Sequence, residues 1–373
     1  MDFTLSPEQE ALRDSVLRFA EREHGWEQRA QILRADGGRA PAHWRTFAEL
    51  GWLGAGLSEE AGGFGGGAAE NAIVMEALAP ALVLEPLLPH IIASRLLSAS
   101  TSPAAVELLA AMVMGERRAV LAQGERSLVL ASKEGGVPRL SGRASLVLGG
   151  ADADFLIVAA RAAGEEARLS LCLVDARSSG VEIQPYRLVD NHRAAQVSFD
   201  LEFPDQALAF ARSSEDVLEE ALDHGIVAIC AEAVGMMEAT LWLTRDYLVT
   251  RKQFGTTLSA FQALQHRMAD MLIETEMARS ILFQAIANVE DDSADLRRRG
   301  VSAAKALIST AGPAVGAAAI QLHGAIGMTE EFVIGHYYKR LFAIARLLGS
   351  SDDHLARFTA ATERLNGQES VAA

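Results

Sequence analysis

The 373-residue chain has only two cysteines, Cys172 and Cys230, too far apart for a C-x-x-C or zinc-ligand pattern. Their scarcity excludes a disulfide framework and a structural zinc module, and it points to a reducing compartment, the cytoplasm, with both thiols in the core. Basic charge is also short: 34 Lys and Arg stand against 49 Asp and Glu, a formal net charge of −15. A basic footprint for non-specific nucleic-acid binding is therefore lacking. No apolar run is free of interruption. Glu232 and Glu238 break residues 224–243, while Glu76, Pro80, Glu85, Pro86 and Pro89 break residues 71–97, so no membrane-spanning helix is expected. The opening "MDFTLSPEQEALRDSVLRF" lacks the basic-then-apolar order of a signal peptide. There is no H-E-x-x-H, nucleophile-elbow G-x-S-x-G or Walker loop, no internal repeat and no metal-ligand constellation.

What the chain does have is 50% hydrophobic residues, enough for one large core or several smaller ones, at a length that favours more than one domain. From Ser6 to about Met114 the pattern is helical. Ser6 is placed to cap a first helix, with Glu8 and Glu10 in its first turns and Leu12, Val16, Leu17 and Phe19 at helical spacing. Further helices are expected at about 41–51, 68–79 and 104–114. The glycine-rich "EEAGGFGGG" at 59–67 reads as a loop, because no strand precedes it and its spacing does not open a βαβ unit.

After Glu116 short β-rich runs at 118–122, 127–131, 144–148, 155–160, 168–174, 181–184 and 195–200 alternate with turns such as Gly135-Gly136 and Gly149-Gly150. With no helices between them, these predict an antiparallel barrel or sandwich. Helices return at about 214–250, 260–290, 297–322, 330–347 and 351–365. The expected fold class is α+β, with an N-terminal helical domain (1–114), a middle antiparallel β domain (115–210) and a C-terminal four-helix bundle (211–373).

One stretch asks for more than architecture. In "RKQFGTTLSAFQALQHRMADM", residues 251–271, an arginine, an aromatic ring and a glycine precede a long helix. A guanidinium fork, a flat ring and closely approachable backbone suit an anionic, partly aromatic ligand, although a polar turn between helices also accounts for them. Downstream lies "QLHGAIGMTEE" at 321–331.

With "RKQFG" followed by Phe261-Gln262 and "MAD" at 268–270, and then the 321–331 motif in order, the chain resembles the acyl-CoA dehydrogenase family over nearly its whole length. "LSPEQEALRDSVLRFAERE" and "WRTFAELGWLGAGLSEEAGGFGGG" are similar to the family's N-terminal helices and the loop after them. The resemblance implies the fold above and a bound FAD. It implies that Arg251, Phe254 and Gln262 reach the adenosine and pyrophosphate of one flavin, while Gln321, His323, Gly324 and Gly327 help hold another across a dimer interface. For His323 a satisfied histidine at a helix end is the other reading.

The same resemblance exposes departures. The reaction it implies removes a proton from an acyl-CoA with a glutamate as the flavin takes a hydride. The two positions where relatives carry that glutamate match Leu348 and Gly225 here, so no catalytic residue is expected at either. The family's Thr-Glu-Pro turn beside the flavin reads Gly124-Glu125-Arg126, and its flavin-facing strand reads Gly142 to Leu148, with Leu146 and Leu148 where a tryptophan and a threonine are usual.

Adenosine-site residues are thus kept while ring-site and base residues are replaced. The implied role is the small, non-catalytic subunit of a heteromeric acyl-CoA dehydrogenase, with a catalytic large subunit as partner and electron-transfer flavoprotein as acceptor. Small subunits acting on steroid side-chain or pimeloyl thioesters look similar, the latter in "EEAGGFGGGAAENAIVMEAL" and "ALVLEPLL". Two other readings stand beside it. One is a self-sufficient enzyme with a displaced base among Asp352, Asp353, His354, Asp223 and His224. In this case Asp352 and Asp353 compete with a plain helix-capping role, and Asp223 and His224 with one as bundle-surface or interface groups. The other is a non-enzymatic scaffold subunit.

Overall fold

The computed structural model describes residues 4–35, 40–124, 128–131, 139–162, 168–202 and 207–372. Glu125, Arg126, Gly135 and Gly136, singled out above, lie outside them.

The chain opens with helices α1 (Pro7–Glu23), α2 (Trp26–Ala35), α3 (Pro41–Glu49), α4 (Ala68–Leu78), α5 (Leu87–Ser98) and α6 (Pro103–Val113). Ser6 caps α1 as its sequence position demands. Its hydroxyl accepts from the Gln9 amide at 3.2 Å, while the Gln9 side chain returns a bond to the Ser6 amide at 3.0 Å. Helix α5 was masked in sequence by Pro86 and Pro89. Pro89 sits in its first turn, where a backbone N–H has no helical acceptor and its loss costs nothing.

Seven strands follow: β1 (Ala119–Gln123), β2 (Val129–Ala131), β3 (Arg139–Leu148), β4 (Phe155–Ala162), β5 (Leu169–Asp175), β6 (Val181–Arg187) and β7 (Arg193–Glu202). They form one sheet in the order β1-β4-β2-β3-β7-β6, with β5 added to β4. The pairs β2/β3, β3/β7, β4/β5 and β6/β7 are antiparallel. Two pairs, β1/β4 and β2/β4, are parallel, which corrects the wholly antiparallel expectation. A parallel pair needs a long crossover, and here other strands supply it in place of a helix. Val120, Leu140, Val147, Leu156, Val158, Val197 and Phe199 form the buried core of this sheet.

The remainder is α7 (Ser214–Thr250), a short hairpin of β8 (Lys252–Gln253) and β9 (Thr256–Thr257), α8 (Gln262–Val289), α9 (Ala294–His323), α10 (Val333–Ile344) and α11 (Ser351–Ala372). The chain groups into two compact units. One comprises Met1–Gln31, Ala68–Val83 and Ile226–Ala373, the other Ile32–Gly67 and Leu84–Gly225.

Contrary to the expectation that acids interrupt every apolar run, two helical stretches, Ser214–Thr250 and Ala294–Met328, are long and apolar enough to cross a membrane, and more than half of each apolar stretch is buried in the protein. Glu232 does not mark an exposed face. Its carboxylate is buried and takes two hydrogen bonds from Arg340, each 2.6 Å. A paired charge of this kind lets a helix be covered all round. Both cysteines are buried.

Candidate functional site

The segment after α7 is a hairpin, with Lys252 opposite Thr257 and Gln253 opposite Thr256. Its two turn residues, Phe254 and Gly255, have φ of 55° and 82°. Two successive positive φ values are what a tight two-residue hairpin needs, and Asn-Gly is the usual solution. Phenylalanine is a costly one, because a bulky side chain in left-handed backbone crowds its own carbonyl. The ring gains little inside the chain for that cost. It is 90% exposed, with Phe261 edge-on to it at 6.2 Å between ring centroids. Arg251, Gln262 and Gln321 are also exposed, and among the described residues their side chains have no hydrogen-bond or ion-pair partner. The hairpin therefore presents an unpaired guanidinium and a strained, uncovered ring together.

The second motif lies beside the first. Tyr247, in the last turn of α7, stacks on His323 at the end of α9 with ring centroids 4.4 Å apart, and its hydroxyl donates to the His323 carbonyl at 3.3 Å. Sequence reasoning missed Tyr247, because its stack on His323 joins residues far apart in the chain. His323 is buried, and its Nδ1 lies 2.9 Å from the Ala319 carbonyl. Burial lowers its pKa, outweighing the opposite pull of that carbonyl. Gly324 ends α9 with φ of 65°, and a Cβ built there would meet nothing within 4 Å. Gly327 is the reverse case: a Cβ there would crowd the Ile320 carbonyl at 3.0 Å and the His323 Cβ at 3.1 Å. The first glycine leaves open backbone, while the second lets the turn fold back on the helix.

At the two positions where a base was looked for, none stands. Leu348 occupies a turn with φ of 58°, followed by Gly349 at 103°. That turn is held hard. The fully buried Lys305 donates to the carbonyls of Ile344 and Gly349, each at 3.0 Å, and to the Ser309 hydroxyl at 2.8 Å, while His354 Nε2 donates to the Leu348 carbonyl at 2.8 Å. Burial lowers the pKa of Lys305. Asp353 is a capping residue. Its carboxylate accepts from the Ser350 amide at 2.9 Å and hydroxyl at 2.7 Å, and those bonds lower its pKa. Asp352 is exposed in the same first turn of α11.

Gly225 lies within α7, and its neighbours Asp223 and His224 are buried, at 1% and 4% exposure, and engaged by other groups. That corrects the expectation of surface polar groups. In the sheet, pairing of β3 with β7 breaks between Ala144 and Val147, leaving Leu146 43% exposed, and the Tyr186 hydroxyl donates to the freed Ser145 carbonyl at 2.8 Å.

The family model for the acyl-CoA dehydrogenase N-terminal domain matches residues 6–116, and that for the C-terminal domain matches residues 216–361. Acyl-CoA dehydrogenase IpdE2 of Mycolicibacterium smegmatis is 36% identical over 138 residues, which is 37% of this chain and 42% of that protein. The chain thus spans about two fifths of the length of that curated relative. Among solved structures, a variant of the Tcur3481-Tcur3483 steroid ACAD superposes with a TM-score of 0.87 at 26% identity, covering 98% of this chain and 100% of that one. The ChsE4-ChsE5 complex from Mycobacterium tuberculosis has the same fold, with a TM-score of 0.87 at 24% identity over 97% and 99% of the two chains.

Proposed function

Because the chain belongs to the acyl-CoA dehydrogenase family, we propose that it is an FAD-associated subunit of an acyl-CoA dehydrogenase, the one that lacks the catalytic base and completes a partner's cofactor site. The observation that carries this reading is the contrast between two strained turns. One holds Phe254 and the unpaired Arg251 out for another molecule, while the other fixes an aliphatic side chain, Leu348, where relatives are implied to hold a carboxylate. The likeness to the Tcur3481-Tcur3483 steroid ACAD, whose name joins two designations, supports a hetero-oligomer. The assembly would act on an acyl-CoA thioester in the cytoplasm and pass electrons to electron-transfer flavoprotein.

The residues present suit FAD. Arg251 matches the charge and fork geometry of a pyrophosphate. Phe254 offers a flat apolar face, Gln262 and Gln321 offer free amides, and Gly324 offers open backbone. When bound, FAD supplies the acceptor for the hydride that leaves the substrate's β carbon. This chain's part is to bind and orient. It has no carboxylate at position 348 or 225 to take the α proton, and a positioned base contributes about 10²–10⁴-fold to rate.

The test is dehydrogenation with an artificial electron acceptor over short, medium, dicarboxylic and steroid acyl-CoA substrates. The purified chain alone is expected to be inactive, and activity is expected on adding a catalytic acyl-CoA dehydrogenase partner. Leu348→Glu is not expected to make the chain efficient by itself, because Leu146 and Leu148 stand where flavin-ring contacts are implied and small misplacement destroys reacting geometry. Robust turnover by the chain alone would overturn the subunit reading. Arg251→Ala should lower the flavin-to-protein ratio while leaving the fold intact. A charge-assisted bond of about 1.5–3 kcal/mol corresponds to roughly 10- to 150-fold in affinity, and an unchanged ratio would remove the pyrophosphate assignment.

A further inference from the structure

Lysine is rare in this chain. Of its 34 basic residues only Lys133, Lys252, Lys305 and Lys339 are lysines, and Lys133 lies outside the described residues. The other three differ in what holds them. Lys305 is fully buried, its ammonium bonded to the Ser309 hydroxyl and to the Ile344 and Gly349 carbonyls. Lys339 is paired with the Glu330 carboxylate. Lys252, on the first strand of the hairpin, is exposed, and its amine has no hydrogen-bond or ion-pair partner among the described residues. Its setting is basic within an acidic protein. From Tyr247 to Ala269 there is no Asp or Glu, while Arg251, Lys252 and Arg267 stand exposed, and the flanking Asp246 is taken by Arg245 at 2.6 Å. Side chains of one sign set close together raise the local concentration of an oppositely charged ligand.

Resting on the acyl-CoA and flavin readings above, we propose that Lys252 is a modification site, acylated by the CoA thioesters that the assembly handles, and that its acylation hinders cofactor capture by the hairpin. A CoA thioester is an anion through its phosphates. The stretch that draws it therefore also offers it an exposed amine with no carboxylate to occupy it. The unprotonated ε-amine attacks the thioester carbonyl carbon. A C–N bond forms, the C–S bond breaks, and coenzyme A leaves as its thiol with the proton that nitrogen gives up. Nothing is oxidised or reduced, and no further reactant is needed. Arg251 and Arg267 cannot follow this course, because a guanidinium stays protonated. The product is a neutral amide, as in lysine acetylation. It removes a positive charge and adds bulk one residue from the guanidinium assigned to the pyrophosphate.

The experiment incubates the purified full-length chain with acetyl-CoA and maps acetyl-lysines by mass spectrometry. Lys252 should be labelled about tenfold or more ahead of Lys339, the low end of what local charge does for an anionic reactant, and Lys305 should stay unlabelled. Salt at about 0.5 M should shrink that preference, because it screens exposed charges. Equal labelling of Lys252 and Lys339 would overturn the proposal, and a preference indifferent to salt would overturn the capture by charge. Lys252→Arg keeps the charge and cannot be acylated in this way. Wild-type chain treated with acetyl-CoA before assembly should retain less flavin than untreated chain, whereas treated Lys252→Arg chain should retain as much as untreated. Equal flavin in treated and untreated wild type would overturn the effect on cofactor capture. Absence of flavin from the untreated assembly would sink the flavin reading itself, a failure separate from the acylation, which is mapped on the chain alone.

Discussion

Phe254 illustrates how a single residue can be legible in kind and illegible in state. Its place in the R-x-x-F-G pattern suggested a ligand contact, yet nothing in the pattern announced left-handed backbone, because the turn dipeptide that predicts it is Asn-Gly and not Phe-Gly. The strain yields a prediction that separates stability from binding. Phe254→Asn should raise stability by about 1 kcal/mol, since asparagine tolerates this backbone, while the flavin-to-protein ratio falls. Thermal melts and flavin absorbance on the same preparation measure both. A variant that gains stability and keeps its flavin would mean that the ring has no ligand to hold. His323 and Tyr247 show the other limit, since a stack between the ends of two helices is a tertiary fact with no local sequence signature.

At the scale of elements, α7 was readable to its ends because its acidic first turn and unbroken periodicity agree with its burial. Helix α5 was not, since prolines at 86 and 89 look like breakers when the helix start is unknown. The parallel strand pairs escaped for a different reason: strand order is set by long-range packing, and period-two alternation carries no direction. Helix α11 gives the test of the displaced-base alternative. Ser350 and Asp353 cap it reciprocally, so Ser350→Ala should cost about 1 kcal/mol. Asp352→Asn and Asp353→Asn should leave turnover of the assembly nearly unchanged. A fall of about 100-fold in either, the scale of a lost general base, would favour an enzyme complete in one chain.

For the whole molecule, three buried histidines set an acid limit. Burial holds His90 down at about 4, against the pull of the Leu53 carbonyl, and also lowers His323 and His336. A folded-state pKa below the unfolded value means that the unfolded chain binds more protons in the window between them. Stability is therefore full above about pH 6.5 and declines as pH falls through that window. His90 alone should contribute a loss on the order of 3 kcal/mol between about pH 6.5 and 4. Urea midpoints across that range check it, and a replacement of His90 by a neutral residue should flatten the slope by about one proton. A midpoint independent of pH in this range would contradict the burial of these rings.

The hairpin that carries Phe254 also has a kinetic meaning. Its backbone is closed by paired strands and its tip by a two-residue turn, so the ring is already in place before anything covers it. Association at this surface then gives up side-chain freedom and little chain entropy. Encounters should be limited by docking, with on-rates in the ordinary range of about 10⁵–10⁷ per molar per second for rigid partners, and differences in affinity between variants of the tip should appear as differences in how long the complex lasts.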